Sequence, residues 1–170
     1  MQKLLLHCCC APCTSQVLDS LRDIYDITVL FYNPNILPEA EREKRCGELK
    51  RMLEIMNKDG RTEIKTADIT HAELPLKQND CNTCIRHRLE FTAGIADILG
   101  FDLFTTTLSI SPHKNLKLIN ETGISINPQK YLPADFKKQD GYKKSIELSK
   151  KYNLYRQNYC GCSPREMHNS

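Results

Sequence analysis

The chain alternates short apolar runs with longer stretches in which apolar residues recur every three or four positions. The apolar runs predict four buried strands, at residues 3–7, 26–32, 62–68 and 101–109. Helical spacing predicts five helices, at residues 14–24, 38–58, 81–99, 114–122 and 142–152. Thr14 or Ser15 is expected to cap the first helix, residues 123–136 are expected to be irregular, and the tail is expected to be coil from about residue 153.

Strands that alternate with helices predict an α/β fold: a Rossmann-like, three-layer domain with a mostly parallel sheet. A length of 170 residues fits one domain over residues 1–170. Ligands of such sheets bind beyond the carboxyl ends of the strands. The segments that follow the first, second and fourth strands are therefore expected to meet at one edge; they read HCCCAPC (7–13), YNPNI (32–36) and SISPHK (109–114).

Charge and hydropathy place few limits on the class of protein. The formal net charge of +3 permits a nucleic-acid partner without requiring one, and the hydrophobic content of 40% is ordinary for a globular protein. No apolar run approaches the ~20 residues of a membrane span, and no signal peptide precedes the first strand. These features predict a cytoplasmic protein that does not contact a membrane.

Cysteine is the unusual component, with nine residues in the chain. In a reducing compartment, clustered cysteines hold metal ions or carry out redox chemistry. Seven of the nine form three groups, which are candidate metal ligands: Cys9, Cys10 and Cys13; Cys81 and Cys84; Cys160 and Cys162. Cys8 and Cys46 stand apart and are expected to be small buried hydrophobes.

Two other classes of site compete with a metallocluster. A strand followed by CAPC and a helix has the layout of a thioredoxin-like thiol–disulfide oxidoreductase, which would use Cys10 and Cys13. A structural zinc site in an RNA-binding module is also open, although zinc uses only four sulfurs. Seven thiols also exceed the four that one iron–sulfur cluster needs, which suggests a second metal or a redox-active pair beside a cluster.

The sequence resembles the cobalamin-independent epoxyqueuosine reductases, the QueH family, over nearly its whole length. The resemblance lies in five blocks of sequence: LLLHCCCAPC, FYNPNI, DCNTCIRHRL, TTTLSISPHKN and the stretch from YLPADF to NYCGC. Membership of this family would imply removal of the epoxide oxygen from epoxyqueuosine at the tRNA wobble position, the last step of queuosine synthesis. It would also imply a fold related to the adenine nucleotide alpha hydrolases.

The resemblance further implies a 4Fe–4S cluster with an additional iron ion beside it and an electron donor that the sequence does not identify. The family's metal-site cysteines fall on Cys9, Cys10, Cys81, Cys84, Cys160 and Cys162, and Cys13 completes the first motif. An iron with an open coordination position is suited to binding an epoxide oxygen as a Lewis acid. The sequence contains no GxGxxG dinucleotide fingerprint after a strand.

Residues in or beside these motifs are candidates for proton transfer and RNA binding. Asp135, His113 and Tyr142 are candidate proton donors, and Asp135 is also a candidate cap. Basic and hydrogen-bonding side chains are the candidates for contacts with tRNA: Tyr32, Asn33, Asn35, Arg86, Arg88, Lys143, Lys144 and Arg156. An ordinary solvated helix explains the lysines of residues 142–152 equally well.

Overall fold

The computed structural model describes residues 1–67 and 80–161 and contains one four-stranded sheet in that part of the chain. The strands lie in the order β3-β2-β1-β4, and every pairing between them is parallel. Their bounds are β1 Lys3–Cys8, β2 Asp26–Phe31, β3 Lys65–Thr66 and β4 Leu103–Thr106. The α/β class and the parallel sheet predicted from the sequence are confirmed.

Helices cover both faces of this sheet, so that the described residues form three layers. They are α1 Ala11–Leu21, α2 Glu39–Met56, α3 Cys81–Ile98, α4 Leu116–Ile126 and α5 Gly141–Lys151. Leu4 and Leu6 pack into one core with α1 and α2, whereas Leu5 packs into a second core with α3 and α4. The continuous apolar run of β1 is explained by this burial on both faces. None of the described helices is long and apolar enough to cross a membrane.

The connections place a topological switch point beside β1. The chain runs from β1 through β2 to β3 in one direction and then returns to place β4 on the other side of β1. The segments that leave β1 and β4 therefore diverge at the carboxyl edge, which is where open α/β sheets bind ligands. A short 3₁₀ helix, Thr107–Ile110, follows β4 at this edge.

The prediction that Thr14 or Ser15 caps the first helix is wrong. Helix α1 begins at Ala11, and Cys10 occupies the cap position. The fixed φ of Pro12 suits the first turn of a helix, so the helix starts before the hydroxyl residues. The Thr14 hydroxyl instead donates to the Cys10 carbonyl at 2.7 Å.

Other predicted boundaries also differ. The fourth strand, predicted over residues 101–109, is Leu103–Thr106, and the 3₁₀ helix Thr107–Ile110 takes the place of its end. Residues 123–126 continue α4 and are not irregular, because Gly123 and Ile126 extend a helix that packs on α3 and the second core. The third strand is reduced to Lys65–Thr66, since only two residues pair with β2. The coil predicted from residue 153 is confirmed as far as residue 161.

Candidate metal centre

The thiols of Cys9, Cys10 and Cys13 form a compact group at the carboxyl end of β1. Their sulfur atoms all lie within 4.8 Å of one another, and the Cys9 and Cys10 sulfurs are 3.8 Å apart. Two sulfurs that each lie about 2.3 Å from one tetrahedral metal ion are roughly 3.8 Å apart. The donor set and the spacing therefore fit a thiolate-bound metal.

The start of α1 and the segment after β4 hold this group in place. Cys10 is the cap residue of α1 and Cys13 lies in its first turn, so their side chains come together at the helix N-terminus. On the other side, the Cys9 backbone amide donates to the Thr107 hydroxyl at 3.4 Å, and the Cys9 sulfur lies 3.6 Å from the same oxygen. The group thus occupies the switch point between β1 and β4.

The pKa values of the thiols in this group are shifted in different directions. Hydrogen bonds from Cys10 and then Cys13 hold the pKa of the Cys9 thiol well below its ordinary value, although burial opposes this shift. Hydrogen bonds with Cys10 and then with Cys9, together with burial, raise the pKa of Cys13 well above its ordinary value. A thiolate stabilised by two neighbouring thiols is a ready ligand for a soft metal ion.

His7, two residues before Cys9, joins the carboxyl ends of three strands. Its Nε2–H donates to the Tyr32 carbonyl and its Nδ1 accepts from the Thr106 hydroxyl, each at 2.9 Å. Burial, together with the charge of Arg88, lowers the pKa of His7 to about 4, so the ring is neutral at pH 7. A neutral histidine with both nitrogens bonded has a structural role that ties the edge of the sheet together.

A chain of hydrogen bonds connects the CNTC segment to β1. The buried Arg88 side chain donates from Nε to the Cys84 carbonyl and from Nη1 to the Asn33 side-chain oxygen, each at 3.4 Å. Asn33 in turn donates to the Cys8 carbonyl at 2.8 Å. Cys84 is buried, whereas Cys81 is exposed at the first position of α3.

Lys114 brings the C-terminal segment to the same edge. Its ammonium group lies 2.9 Å from the Cys160 sulfur. Burial alone would lower the pKa of Lys114, but attraction to the Cys160 thiolate, with a smaller contribution from Cys9, raises it above its ordinary value. The pKa of Lys114 thus responds to a cysteine of the first group and to a cysteine of the third group.

The backbone around Cys160 is fixed by α2 and by the segment after β2. Arg45, which is 2% exposed, donates to the carbonyls of Cys160 at 2.8 Å and Tyr159 at 2.9 Å. Leu37 donates to the Gly161 carbonyl at 2.7 Å. We call residues 152–161 the C-terminal strap, because this stretch without helix or strand is held against α2 by side-chain to backbone bonds.

The structure thus brings together Cys9, Cys10 and Cys13. Hydrogen bonds through Arg88 and Asn33 connect Cys84 to the Cys8 carbonyl, Lys114 contacts the Cys160 sulfur, and no described contact joins Cys81 to the group. Cys162 lies outside the described residues. Cys8 is fully buried in the first core, as expected, and Cys46 is half-buried on α2. Sequence reasoning did not identify Lys114, Arg45 or Thr107, since none belongs to a cysteine motif.

The three candidate proton donors occupy different environments. Asp135 is half-buried, and its carboxylate accepts from the Lys137 amide at 3.1 Å, which is the capping arrangement considered above. His113 is exposed in the segment after β4, three residues beyond the 3₁₀ helix. Tyr142 is half-buried in the first turn of α5. Their roles in proton transfer remain predictions.

The candidate RNA-binding residues divide into buried and exposed sets. Four of them are buried: Tyr32, whose hydroxyl is hydrogen-bonded to His87 at 2.9 Å, Asn33, Asn35 and Arg88. Both polar atoms of the Asn35 side chain are buried and have no hydrogen-bond partner among the described residues. Exposed candidates lie on three elements: Arg86 on α3, Lys143 and Lys144 on α5, and Arg156 on the C-terminal strap.

Fold and site together define an α/β protein with a group of three thiols, suited to binding a metal ion, at the switch point of a parallel sheet. The model of the family described as "Epoxyqueuosine reductase QueH" matches residues 4–166. The chain belongs to this family, which confirms the resemblance found in the sequence.

Curated relatives of the chain carry the same description. A protein of Streptococcus pyogenes serotype M1 named "Epoxyqueuosine reductase QueH" is 41% identical over 94% of this chain and 68% of its own length. A protein of the same name from Staphylococcus epidermidis is 37% identical over 94% of this chain and 74% of its own length. The Thermotoga maritima protein of that name is 36% identical over 95% of this chain and 89% of its own length.

Proposed function

We propose that this chain is an epoxyqueuosine reductase, which removes the epoxide oxygen from epoxyqueuosine at the wobble position of tRNA and leaves queuosine. Conversion of an epoxide to an alkene breaks two C–O bonds, consumes two electrons and two protons and releases water. The chemistry needs an electron source and a group that binds the departing oxygen. The observation that carries the proposal is the group of three thiols at the switch point, within a chain of this family.

The proposed cofactor is a 4Fe–4S cluster with an additional iron ion, held by Cys9, Cys10, Cys13, Cys81, Cys84, Cys160 and Cys162. Thiolates are the usual ligands of iron–sulfur clusters; the proximity of the Cys9, Cys10 and Cys13 sulfurs supports this proposal, as do the bonds of Cys84 to Arg88 and of Cys160 to Lys114. Such a group supplies electrons singly, and an open iron position supplies a Lewis acid for the epoxide oxygen.

The chain's own groups position the ribonucleotide and supply protons. Asn35, in the segment that contacts Gly161, offers an amide donor and acceptor that pair with no group in residues 1–67 and 80–161, which suits the polar edge of a modified base. Asp135, His113 and Tyr142 are the proposed sources of the two protons. Of these, His113 is the one exposed beside Lys114 and the centre.

Two kinds of contact with tRNA are proposed: electrostatic contacts by exposed basic residues, and hydrogen bonds by the buried polar residues. Arg86 is on the face of α3 that meets α4, where it donates to the Ser125 hydroxyl at 3.2 Å and remains half exposed. Lys143, Lys144 and Arg156 extend the exposed positive charge. The partners are thus a tRNA and an electron donor of undetermined identity, and the proposed location is the cytoplasm, where tRNA is modified.

The thioredoxin-like alternative receives no support from the comparisons. It would need an activated thiol at Cys10, yet the hydrogen bond with Cys13, which lowers the pKa of Cys10, is outweighed by the hydrogen bond with Cys9, burial and repulsion from Cys9, which together raise that pKa to about 12. The lowered pKa belongs to Cys9, outside the CAPC pair.

The metal content and activity of anaerobically purified protein distinguish the possible functions. We expect protein that contains both iron and acid-labile sulfide and that, with dithionite, converts epoxyqueuosine in tRNA to a nucleoside lighter by one oxygen atom in mass spectrometry. Iron-containing protein that leaves the epoxide intact would contradict the proposed reaction. Protein that contains one zinc ion and no sulfide would favour the RNA-binding module, and metal-free protein with a reducible Cys10–Cys13 disulfide would favour the exchanger.

A further inference from the structure

Arg88 is a buried cation beside the metal centre that lacks an acidic partner among the described residues. The residue is 2% exposed, and it lies one helical turn after Cys84 on α3. Its two hydrogen bonds go to neutral oxygens, those of Cys84 and Asn33, and both are long at 3.4 Å. Such bonds compensate only a small part of the free energy of removing a guanidinium from water.

The other two buried arginines of the described chain each form an ion pair with a carboxylate. Arg22 pairs with Asp59 at 2.8 Å, and Arg45 pairs with Glu41 at 2.8 Å. For Arg88, no carboxylate within residues 1–67 and 80–161 comes within ion-pairing distance. An isolated buried charge is strongly unfavourable unless an opposite charge lies near it.

The nearby groups that can carry negative charge are sulfurs. Arg88 is bonded to the backbone of Cys84, and the Asn33 side chain connects it to the carbonyl that precedes Cys9. The second cation of the centre, Lys114, contacts the Cys160 sulfur at 2.9 Å. A buried cation bonded to the backbone of Cys84 and a half-buried cation in contact with the Cys160 sulfur thus lie beside the cysteine groups, and this arrangement is suited to a bound group with net negative charge.

We propose that Arg88 is the counter-charge of the thiolate-bound iron–sulfur group and stabilises its reduced form. This inference rests on the proposed function, because it assumes that the thiols hold such a group. Reduction adds one negative charge to a cluster that is already anionic, so a nearby fixed cation stabilises the reduced form more than the oxidised form. Arg88 is then a positioning and electrostatic residue of the centre, and not an RNA contact as its place in the CIRHR motif suggested.

The test measures the reduction potential of the anaerobic holoprotein by a titration followed with electron paramagnetic resonance. Arg88→Gln removes the charge and keeps a hydrogen-bonding side chain, whereas Arg88→Lys keeps the charge. We expect Arg88→Gln to disfavour reduction about tenfold, which is about 59 mV toward negative potential for one electron. Arg88→Lys is expected to retain most of the wild-type potential.

Arg86→Gln is the matched control, because Arg86 lies two residues away on the same helix and its side chain is 48% exposed. It should leave the potential unchanged, since solvent screens its charge. The affinity for unmodified tRNA is measured in parallel and should not change in Arg88→Gln.

Several results would overturn the inference. They are an unchanged potential in an Arg88→Gln protein that carries its cluster, an equal shift in Arg86→Gln, or weaker tRNA binding at unchanged potential. Should Arg88→Gln fail to bind iron, iron binding by Arg88→Lys supports the role of charge, and failure of both variants contradicts it. Wild-type protein without iron or sulfide contradicts the proposed function itself, which is a separate result.

Discussion

Arg45 donates from Nη1 to the carbonyl oxygen of Cys160 at 2.8 Å, across 115 positions of the sequence. The same guanidinium pairs through Nε with Glu41 at 2.8 Å and is almost completely buried. Helix α2 thereby fixes the backbone from which the Cys160 side chain extends, while Lys114 contacts its sulfur. The position of the third cysteine group depends on a helix that contains none of the candidate metal ligands.

Arg45→Met is therefore expected to lower kcat/KM for epoxyqueuosine-containing tRNA at least about tenfold, which corresponds to about 1.4 kcal/mol of transition-state stabilisation. The substitution leaves two backbone carbonyls and the Glu41 carboxylate without their buried donor. Steady-state kinetics with the reconstituted enzyme measures the effect. Arg45→Lys, which keeps one donor, should recover part of the loss.

Arg51 supplies the control for this substitution. It also donates to the C-terminal strap, at the carbonyls of Tyr152 and Asn153, but its side chain is 42% exposed and its contacts lie farther from Cys160 along the chain. Arg51→Met should change kcat/KM less than about threefold, because exposed polar contacts contribute little. Equal losses in the two variants would mean that Arg45 acts through general stability of the strap.

Gly161 is a second point at which the strap depends on one residue type. Its φ is +138°, and a Cβ there would lie 2.8 Å from Ile36 Cγ1. Gly161→Ala should displace the strap from the centre and lower iron content and activity together. Iron analysis and the tRNA assay measure both quantities.

Gly60→Ala is the appropriate comparison, since Gly60 also has positive φ, at +78°, but nothing lies within 4 Å of the added Cβ. It should reduce the free energy of unfolding by about 1 kcal/mol and leave iron content unchanged. A Gly161→Ala protein with full iron and activity would show that the close approach to Ile36 is relaxed easily.

The position of the cysteines at the carboxyl edge of the sheet was predictable, because the residues that indicate it are neighbours in the sequence. The Leu4–Leu6 run identifies a strand buried on both faces, and parallel strands bring the segments after them together, as the bonds of His7 to Tyr32 and Thr106 demonstrate. The cysteines after β1 follow directly from that geometry.

The supporting residues were not predictable for an equally physical reason. Arg45 lies in a highly charged helix, where an arginine is ordinarily solvated, and its partners are backbone carbonyls that carry no sequence signal. Lys114 is likewise an ordinary surface residue type whose partner is 46 positions away. The start of α1 was misplaced because Thr14 resembles a cap, although its hydroxyl bonds backward to the carbonyl of Cys10.

The grouping of the cysteines has a direct test. Cys84→Ala should lose iron and activity, because the proposed metal centre loses one of its thiolate ligands, a buried one. Cys46→Ala should keep both, since Cys46 lies half-buried on α2 and outside the three groups. Iron per chain and the tRNA assay are the measurements, and equal loss of iron in the two variants would show that the grouping is wrong.

The lysines of α5 test whether that helix contacts RNA. Lys144 shares a surface groove with Asp19 and Glu147, so acidic neighbours already offset part of its charge. If Lys143 and Lys144 nevertheless neutralise phosphates, their joint replacement by Gln should weaken tRNA binding and reduce the slope of log K against log salt by about 1.8, at about 0.9 for each contact. Single-stranded loop contacts would reduce this change to about 1.4.

Lys58→Gln is the control for that measurement. Lys58 follows the last turn of α2 and is exposed, two residues beyond Met56 at the helix end. Because α2 returns from the carboxyl edge of β2 to the start of β3, its end lies at the sheet edge opposite the thiols. The salt slope should therefore be unchanged in Lys58→Gln. An unchanged slope in the double variant as well would assign α5 to the solvated surface and leave Arg86 and Arg156 as the remaining exposed candidates for phosphate binding.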